Sequence, residues 1–158
     1  MVVVSSSRYE ALKAGLSPEP DITGDLICEL LTKMGHEVVS RRIAPDDIEA
    51  LRAILTEEAR RGVEAIIFAG GTGLSPDDVT IEAIRPLLDK EMPGFGELLR
   101  LLSYERIGPA AMLTRALAGV YKGMAVFCLP GSPDAARLAV ERLIGPEVGH
   151  VIKHARGQ

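Results

Sequence analysis

In the stretch AIIFAGGTGLSPDDVTIEAI, Ala65 to Ile84, an apolar run ends in a turn of Gly70, Gly71, Thr72 and Gly73, and two adjacent aspartates, Asp77 and Asp78, follow. Glycines let backbone N–H groups approach a ligand with no Cβ in the way, and a run of such groups makes an anion-binding concavity. Thr72 adds a hydroxyl donor. The turn is neither a nucleotide P-loop, because GxxxxGK[ST] is absent, nor the dinucleotide fingerprint, because GTGLSP lacks its third glycine. A tight turn and a phosphate cradle both fit the four residues; the position after an apolar strand favours the cradle.

Asp77 and Asp78 stand where a helix begins at Val79-Thr80, and Asp46 stands ahead of another helix. Capping and dipole compensation account for such aspartates, and periodicity alone favours that role. The alternative is that carboxylates from two loops converge and hold a hydrated Mg2+, an ion that prefers one or two carboxylates plus substrate phosphates. The remaining polar candidates carry less information. Ser5, Ser6, Ser7 and Arg8 follow the first strand, Ser132 precedes Pro133 as an N-cap would, Arg115 reads as a surface arginine, and Ser103 reads as structural. His36, His150 and His154 lack metal-ligand spacing; His150 and His154 could meet one helical turn apart, where a dipole role is expected. No Ser/His/Asp or Cys/His nucleophile set emerges.

The elements that would position these groups alternate between short β-branched runs and helical patterns. Val2 to Val4 is a first strand, followed by a Gly/Pro-rich loop through Pro20. A helix follows from Thr23 or Asp25 to Met34, with Leu26, Ile27, Leu30, Leu31 and Met34 on one face and Gly35 as its stop. Glu37 to Ile43 is a second strand, and Asp46 caps a helix in which Ile48, Leu51, Leu55 and Ala59 recur until Gly62. Ala65 to Ala69 reads as a strand buried on both faces. A short helix carries Ile81, Ile84, Leu87 and Leu88, and GFGELLRLLSYERI forms another. Ala116 to Tyr121 and Met124 to Leu129, separated by Lys122-Gly123, form a β-hairpin. A closing helix from Ser132 breaks or restarts at Gly145-Pro146. The expected fold is a three-layer α/β/α sandwich with a mostly parallel sheet and one antiparallel hairpin. Its ligand crevice lies beyond the carboxyl ends of the strands, where the SSSR, AGGTG and LPGSP loops emerge.

Composition bounds the rest. A chain of 158 residues, 47% hydrophobic and 25% charged, reads as one domain over residues 1–158, able to bury roughly 70% of the surface its unfolded form exposes. No apolar run approaches the ~20 residues of a membrane span, and the start is too short in apolar residues for a signal peptide. The net charge of −4 argues against a nucleic-acid-binding surface. Cys28 and Cys128 read as two buried thiols of a cytoplasmic protein. Asn is absent and Gln occurs only at Gln158, a loss of thermolabile amides that suits a thermophile.

Taken in order, VVVSSSR, DITGDLICELLTKMGHEVVSRRIAPDD, AIIFAGGTGLSPDDVT, MPGFGELLR, IGPAAMLTRALAGVYKG and LPGSPDAARLAVERLIGPEVGHVIKHA resemble the molybdopterin adenylyltransferase family of molybdenum cofactor biosynthesis, the small stand-alone type. The resemblance covers nearly the whole chain. It implies Mg2+-dependent transfer of the adenylyl group of ATP to the terminal phosphate of molybdopterin, with release of pyrophosphate. Carried over by position, Asp46 and Asp78 are the catalytic, metal-associated carboxylates. Gly70, Gly71, Thr72, Gly73, Ser103, Thr114, Arg115, Gly131 and Ser132 bind the pterin and its phosphate. Homotrimers or homohexamers are implied. Three positions depart from the family pattern: Thr114 replaces a serine, Ile81 a proline, and Ser6 an aspartate. Two other readings stay open at this point, a non-catalytic molybdopterin-binding or scaffold module and a competence-damage-type nucleotide-binding domain.

Overall fold

The computed structural model describes residues Met1–Gln158. Six strands form one mixed sheet in the order β2-β1-β3-β6-β5-β4, with β1 Val2–Val4, β2 Arg42–Ala44, β3 Ala65–Ala69, β4 Lys90–Glu91, β5 Leu117–Tyr121 and β6 Met124–Leu129. β2, β1, β3 and β6 run parallel, and β5 runs against both β6 and β4. The hairpin around Lys122 and Gly123 is therefore present, and both turn residues take positive φ, 49° and 76°, as a two-residue hairpin turn requires. The two-residue β4 beyond it extends the antiparallel edge past what the sequence pattern conveyed.

Seven helices cover the sheet: α1 Ser6–Lys13, α2 Ile22–Lys33, α3 Ile48–Arg60, α4 Thr80–Ile84, α5 Pro93–Ile107, α6 Pro133–Ala139 and α7 Gly145–Ala155. The strict alternation of β3 and β6 divides the core in two. Ile67, Ala69, Phe127 and Leu129 pack under α2, α5, α6 and α7, whereas Ile66, Phe68, Val126 and Cys128 pack under α3 and α4. Phe95 of α5 meets Phe127 edge-on at 5.4 Å between ring centroids, a favoured aromatic geometry. With helices on both faces, the expected three-layer sandwich is the observed one.

Local departures have identifiable causes. The stretch after β1 is a helix, α1, rather than loop. Its sequence SSRYEALK has no apolar periodicity because none of its residues is buried. The second strand is shorter than Glu37 to Ile43: the parallel register sets Arg42 opposite Val2, so residues before Arg42 face no residue of β1. The closing helix does not break at Gly145-Pro146. Residues Val140–Ile144 form a π-turn, in which the Gly145 N–H donates to the Val140 carbonyl, and this wider turn accommodates the proline ring without interrupting the axis.

Candidate active-site crevice

From β1 the chain passes first to β2 on one side and later to β3 on the other, so the strand order reverses between β1 and β3. Open α/β sheets bind ligands at such a reversal, outside the carboxyl ends of the strands. The Gly70–Gly73 turn leaves β3 there. Gly70 and Gly71 have φ of 108° and 62°, which side-chain-bearing residues rarely adopt. Space is as restrictive as conformation: a Cβ on Gly70 would lie 2.4 Å from the Val4 carbonyl oxygen, and one on Gly71 would lie 2.4 Å from Thr80 Oγ1 and 2.7 Å from Asp46 Oδ1. Gly131, leaving β6, presses on Gly70 at 3.2 Å by the same measure. The three strand-end loops are therefore packed backbone to backbone.

Thr80 locks this arrangement. Wholly buried at the start of α4, it donates its hydroxyl to the Gly70 carbonyl at 2.9 Å and its N–H to the Gly71 carbonyl at 2.9 Å. The Gly70 N–H donates to the Leu129 carbonyl, and Thr23 Oγ1 donates to the Gly131 carbonyl at 2.7 Å. In contrast, the N–H groups of Gly71, Thr72 and Gly73 donate to no protein acceptor. The Thr72 hydroxyl makes no hydrogen bond within the protein either, although the residue is only 3% exposed and no fully buried polar atom lacks a partner. Its open direction is the cavity.

That cavity encloses about 790 Å³. Gly70, Gly71, Thr72, Gly73, Asp78, Ser103, Thr114, Arg115, Gly131 and Ser132 all line it, so residues from three separate loops and α5 meet in one place. Asp46 stands just outside the wall, behind Gly71. The volume falls within the ~300–1,000 Å³ of small-molecule sites.

The carboxylates are not helix caps. Asp47, not Asp46, caps α3 by accepting the Ala50 N–H. Asp46 Oδ2 accepts from the N–H and the hydroxyl of Ser6, at 3.1 and 2.8 Å, and the Asp46 N–H reaches back to Ser6 Oγ. Ser6, among the less informative candidates in the sequence, is thus the residue that orients Asp46. Val79 occupies the N-cap of α4 without any side-chain bond, so neither Asp77 nor Asp78 caps it. Asp78 Oδ2 accepts the Ser75 N–H at 3.0 Å and approaches Gly73 so closely that a Cβ there would meet it at 2.6 Å. Ser132 occupies the N-cap of α6 but its side chain forms no capping bond.

Oδ1 of Asp46 and Oδ1 of Asp78 accept no hydrogen bond. They flank the Gly71-Thr72-Gly73 turn and remain available as oxygen ligands. No cluster of three or more His, Cys, Asp or Glu side chains is assembled to hold a metal. The donor set suits a hard cation that completes its shell with water and substrate oxygens, as Mg2+ does, and does not suit a protein-enclosed metal.

Arg115 is no free surface arginine. Nη1 donates to the Gly73 carbonyl at 2.8 Å, and Nη2 pairs with the Glu82 carboxylate on α4. Partial burial would push the Glu82 carboxyl upward, but the hydrogen bond and charge of Arg115 outweigh it and hold the group below the usual carboxylate range. Ser103 is buried and donates to the Leu99 carbonyl at 2.7 Å, so the structural role expected for it is met, and only its lone pairs can address a ligand. Sequence reasoning did not pick out Thr80, Thr23 or Glu82. Thr80 lies within the DDVT motif, yet its role depends on the fold of a loop ten residues earlier. The two cysteines also differ: Cys128 is buried and Cys28 only partly so.

A match to the family described as probable molybdopterin binding domain spans residues 1–150. Molybdenum cofactor biosynthesis protein B of Halalkalibacterium halodurans is 49% identical over 137 residues, covering 85% of this chain and 81% of the relative. A Pyrococcus furiosus protein named molybdopterin adenylyltransferase is 43% identical, covering 91% of this chain and 86% of its own length. Among solved structures, one of a molybdenum cofactor biosynthesis protein B superposes with a TM-score of 0.88 at 43% identity, covering 99% of this chain and 94% of the other. The tungsten cofactor synthesizing protein of Pyrococcus furiosus gives 0.85 at 42%, covering 98% and 94%. The chain belongs to the molybdopterin-binding family of molybdenum cofactor biosynthesis proteins.

Proposed function

We propose that this chain is a molybdopterin adenylyltransferase acting with ATP and Mg2+. One observation carries the reading: three successive unpaired N–H groups, of Gly71, Thr72 and Gly73, and the Thr72 hydroxyl lie at a cavity of about 790 Å³ that Asp78 lines, with Asp46 behind Gly71. Such a cradle is chemically matched to the terminal phosphate of a pterin, and with no P-loop lysine beside it, it is not matched to a triphosphate. Gly131, packed against Gly70, and Ser132 continue the wall beside the cradle, and Ser103, Thr114 and Arg115 supply the contacts to the pterin side. The relatives' printed names support the same assignment.

In this reaction an oxygen of the pterin phosphate attacks the α-phosphorus of ATP. The new P–O bond forms as the bond from the α-phosphorus to the bridging oxygen breaks, and pyrophosphate carries away the electron pair. The attacking phosphate is already an anion at neutral pH, so the protein need not remove a proton. Its contribution is orientation and charge stabilisation, worth several kcal/mol in such sites. The glycine-turn amides hold the nucleophile. Ser6 fixes Asp46, and Asp78 is fixed by Ser75, so each carboxylate turns a free oxygen toward the crevice edge. Bound through those oxygens, Mg2+ would neutralise charge on the triphosphate.

A cytoplasmic location belongs to the same reading and is supported by two unbridged cysteines. No helix is long and apolar enough to cross a membrane. Assembly as a homotrimer, or a hexamer of two trimers, is supported by an exposed apolar row on α5 and the turn after it, Leu98, Leu101, Tyr104, Ile107 and Met112, each at least half exposed. Purified protein incubated with molybdopterin, ATP and Mg2+ should yield the adenylylated pterin by mass. Asp78→Ala should fold and bind molybdopterin while losing transfer by roughly 100-fold or more; normal turnover in that variant would overturn the assignment.

A further inference from the structure

α7 carries a second constellation, remote from the crevice, none of whose lining residues belongs to that helix. Glu147, His150 and His154 follow one another along its exposed face. His150 Nε2 and His154 Nε2 lie 2.9 Å apart, with ring centroids 4.6 Å apart, and the Glu147 carboxylate lies 3.3 Å from His150 Nδ1. The side chains of His150 and Glu147 are 65% and 64% exposed. We propose that His150 and His154 form a bidentate site for a divalent transition-metal cation, with Glu147 as the residue that orients His150.

Metal–imidazole bonds of about 2.1 Å with nitrogens 2.9 Å apart subtend an angle of about 90° at the metal, the cis angle of octahedral and square-planar complexes. A tetrahedral ion would require about 3.4 Å at the same bond length. The pair therefore favours Ni2+ or Cu2+ over Zn2+, and the imidazole donors exclude Mg2+.

Glu147 fixes the tautomer. A carboxylate accepting from His150 Nδ1–H leaves the Nε2 lone pair directed at the partner ring, the carboxylate–histidine–metal arrangement in which ligating histidines are usually found. In the metal-free protein His154 Nε2–H then donates to His150 Nε2. On binding, His154 moves that proton to Nδ1, both Nε2 lone pairs bind the cation, and no net proton is released from the neutral pair. One turn of helix keeps the two nitrogens within reach of a common cation, a rotation of each ring turns its lone pair from the partner nitrogen onto the metal, and exposure leaves the other coordination positions to water.

The test is calorimetric titration of the untagged full chain with NiCl2 at pH 8, in a non-chelating buffer. Saturable one-to-one binding is expected at sub-millimolar metal, lost at least tenfold in His150→Ala and in His154→Ala, both of which are exposed positions where folding is not at stake. Glu147→Gln should weaken binding about tenfold, and His36→Ala should leave it unchanged. Paramagnetic broadening by Ni2+ should reach the ring signals of His150 and His154 and spare those of His36. Undiminished Ni2+ binding in either alanine variant, tighter binding of Zn2+ than of Ni2+, or no saturation below millimolar metal would overturn the site. Unchanged affinity in Glu147→Gln would overturn the role given to the carboxylate.

Discussion

Thr80→Val isolates the bond that shapes the glycine turn. The substitution exchanges the hydroxyl for a methyl group at a position with no exposure, and it deletes the only hydrogen bond to the Gly70 carbonyl. Water cannot replace a donor there, so the carbonyl is left unsatisfied, at a cost of about 1–3 kcal/mol. The Thr80 N–H still reaches the Gly71 carbonyl, so α4 keeps its start and the loss stays local. A cost of about 2 kcal/mol with a urea slope of about 2 kcal/mol/M lowers the midpoint by about 1 M, with the slope unchanged. Thr80→Ser keeps the hydroxyl and loses one buried methyl, a change of about 1 kcal/mol. The expected order of urea midpoints is wild type, then serine, then valine. Molybdopterin affinity, measured by titration, should fall in the valine variant more than in the serine variant, because the Gly71–Gly73 amides depend on the tether. If valine unfolds within 0.5 kcal/mol of wild type, or serine costs as much as valine, the hydroxyl does not hold the turn.

Two further outcomes are expected. The Glu82 carboxyl titrates lower in the folded protein than its ordinary value of 4.5. The stability it contributes is thus present above that pH and lost as pH falls through the folded value. Urea denaturation between about pH 3 and 7 should show a shallower acid decline for Glu82→Gln than for wild type, and parallel profiles would refute the Arg115 pairing. Burial pushes the Cys128 thiol far above its usual range and raises the partly exposed Cys28 less. An aromatic disulfide reagent should therefore titrate one thiol slowly in the native protein and both after unfolding. Native labelling that survives Cys28→Ser would contradict the burial of Cys128.

The parts of the fold that bury an apolar stripe were legible in the sequence. β3 and β6 are continuous apolar runs because helices cover both their faces, and α2 and α3 show helical spacing because one face of each enters the core. α1 was illegible for the converse reason: a helix with no buried residue writes no periodicity. Glu37 to Ser40 misled in the opposite direction, since its β-branched residues satisfy strand propensity while strand pairing depends on where the neighbouring strand ends. The π-turn ahead of Pro146 joins α6 and α7 into one continuous helical stretch, a continuity to which local breaker rules are blind.

The crevice was legible as a list and not as a mechanism. Residue types named its lining because glycines at a strand end and paired aspartates are unusual in one stretch, but they could not say what each aspartate faces. Local sequence offered capping, since Asp46 and Asp78 each lie within two residues of a helix start; the structure gives that role to Asp47 at α3 and to no side chain at α4. An N-cap carboxylate spends its oxygens on helix amides. Asp46 is instead held by Ser6 from 40 residues away, and Asp78 by a turn three residues back, so each keeps one oxygen unbonded. The difference between a capping aspartate and one with a free oxygen lies in which donor it accepts from: Ser6 of α1 for Asp46, and Ser75 of its own loop for Asp78. Thr80 and Thr72 differ in the same way. Both are buried threonines, yet Thr80 donates into the backbone and shapes the loop, whereas the Thr72 hydroxyl has no partner in the protein and lines the cavity.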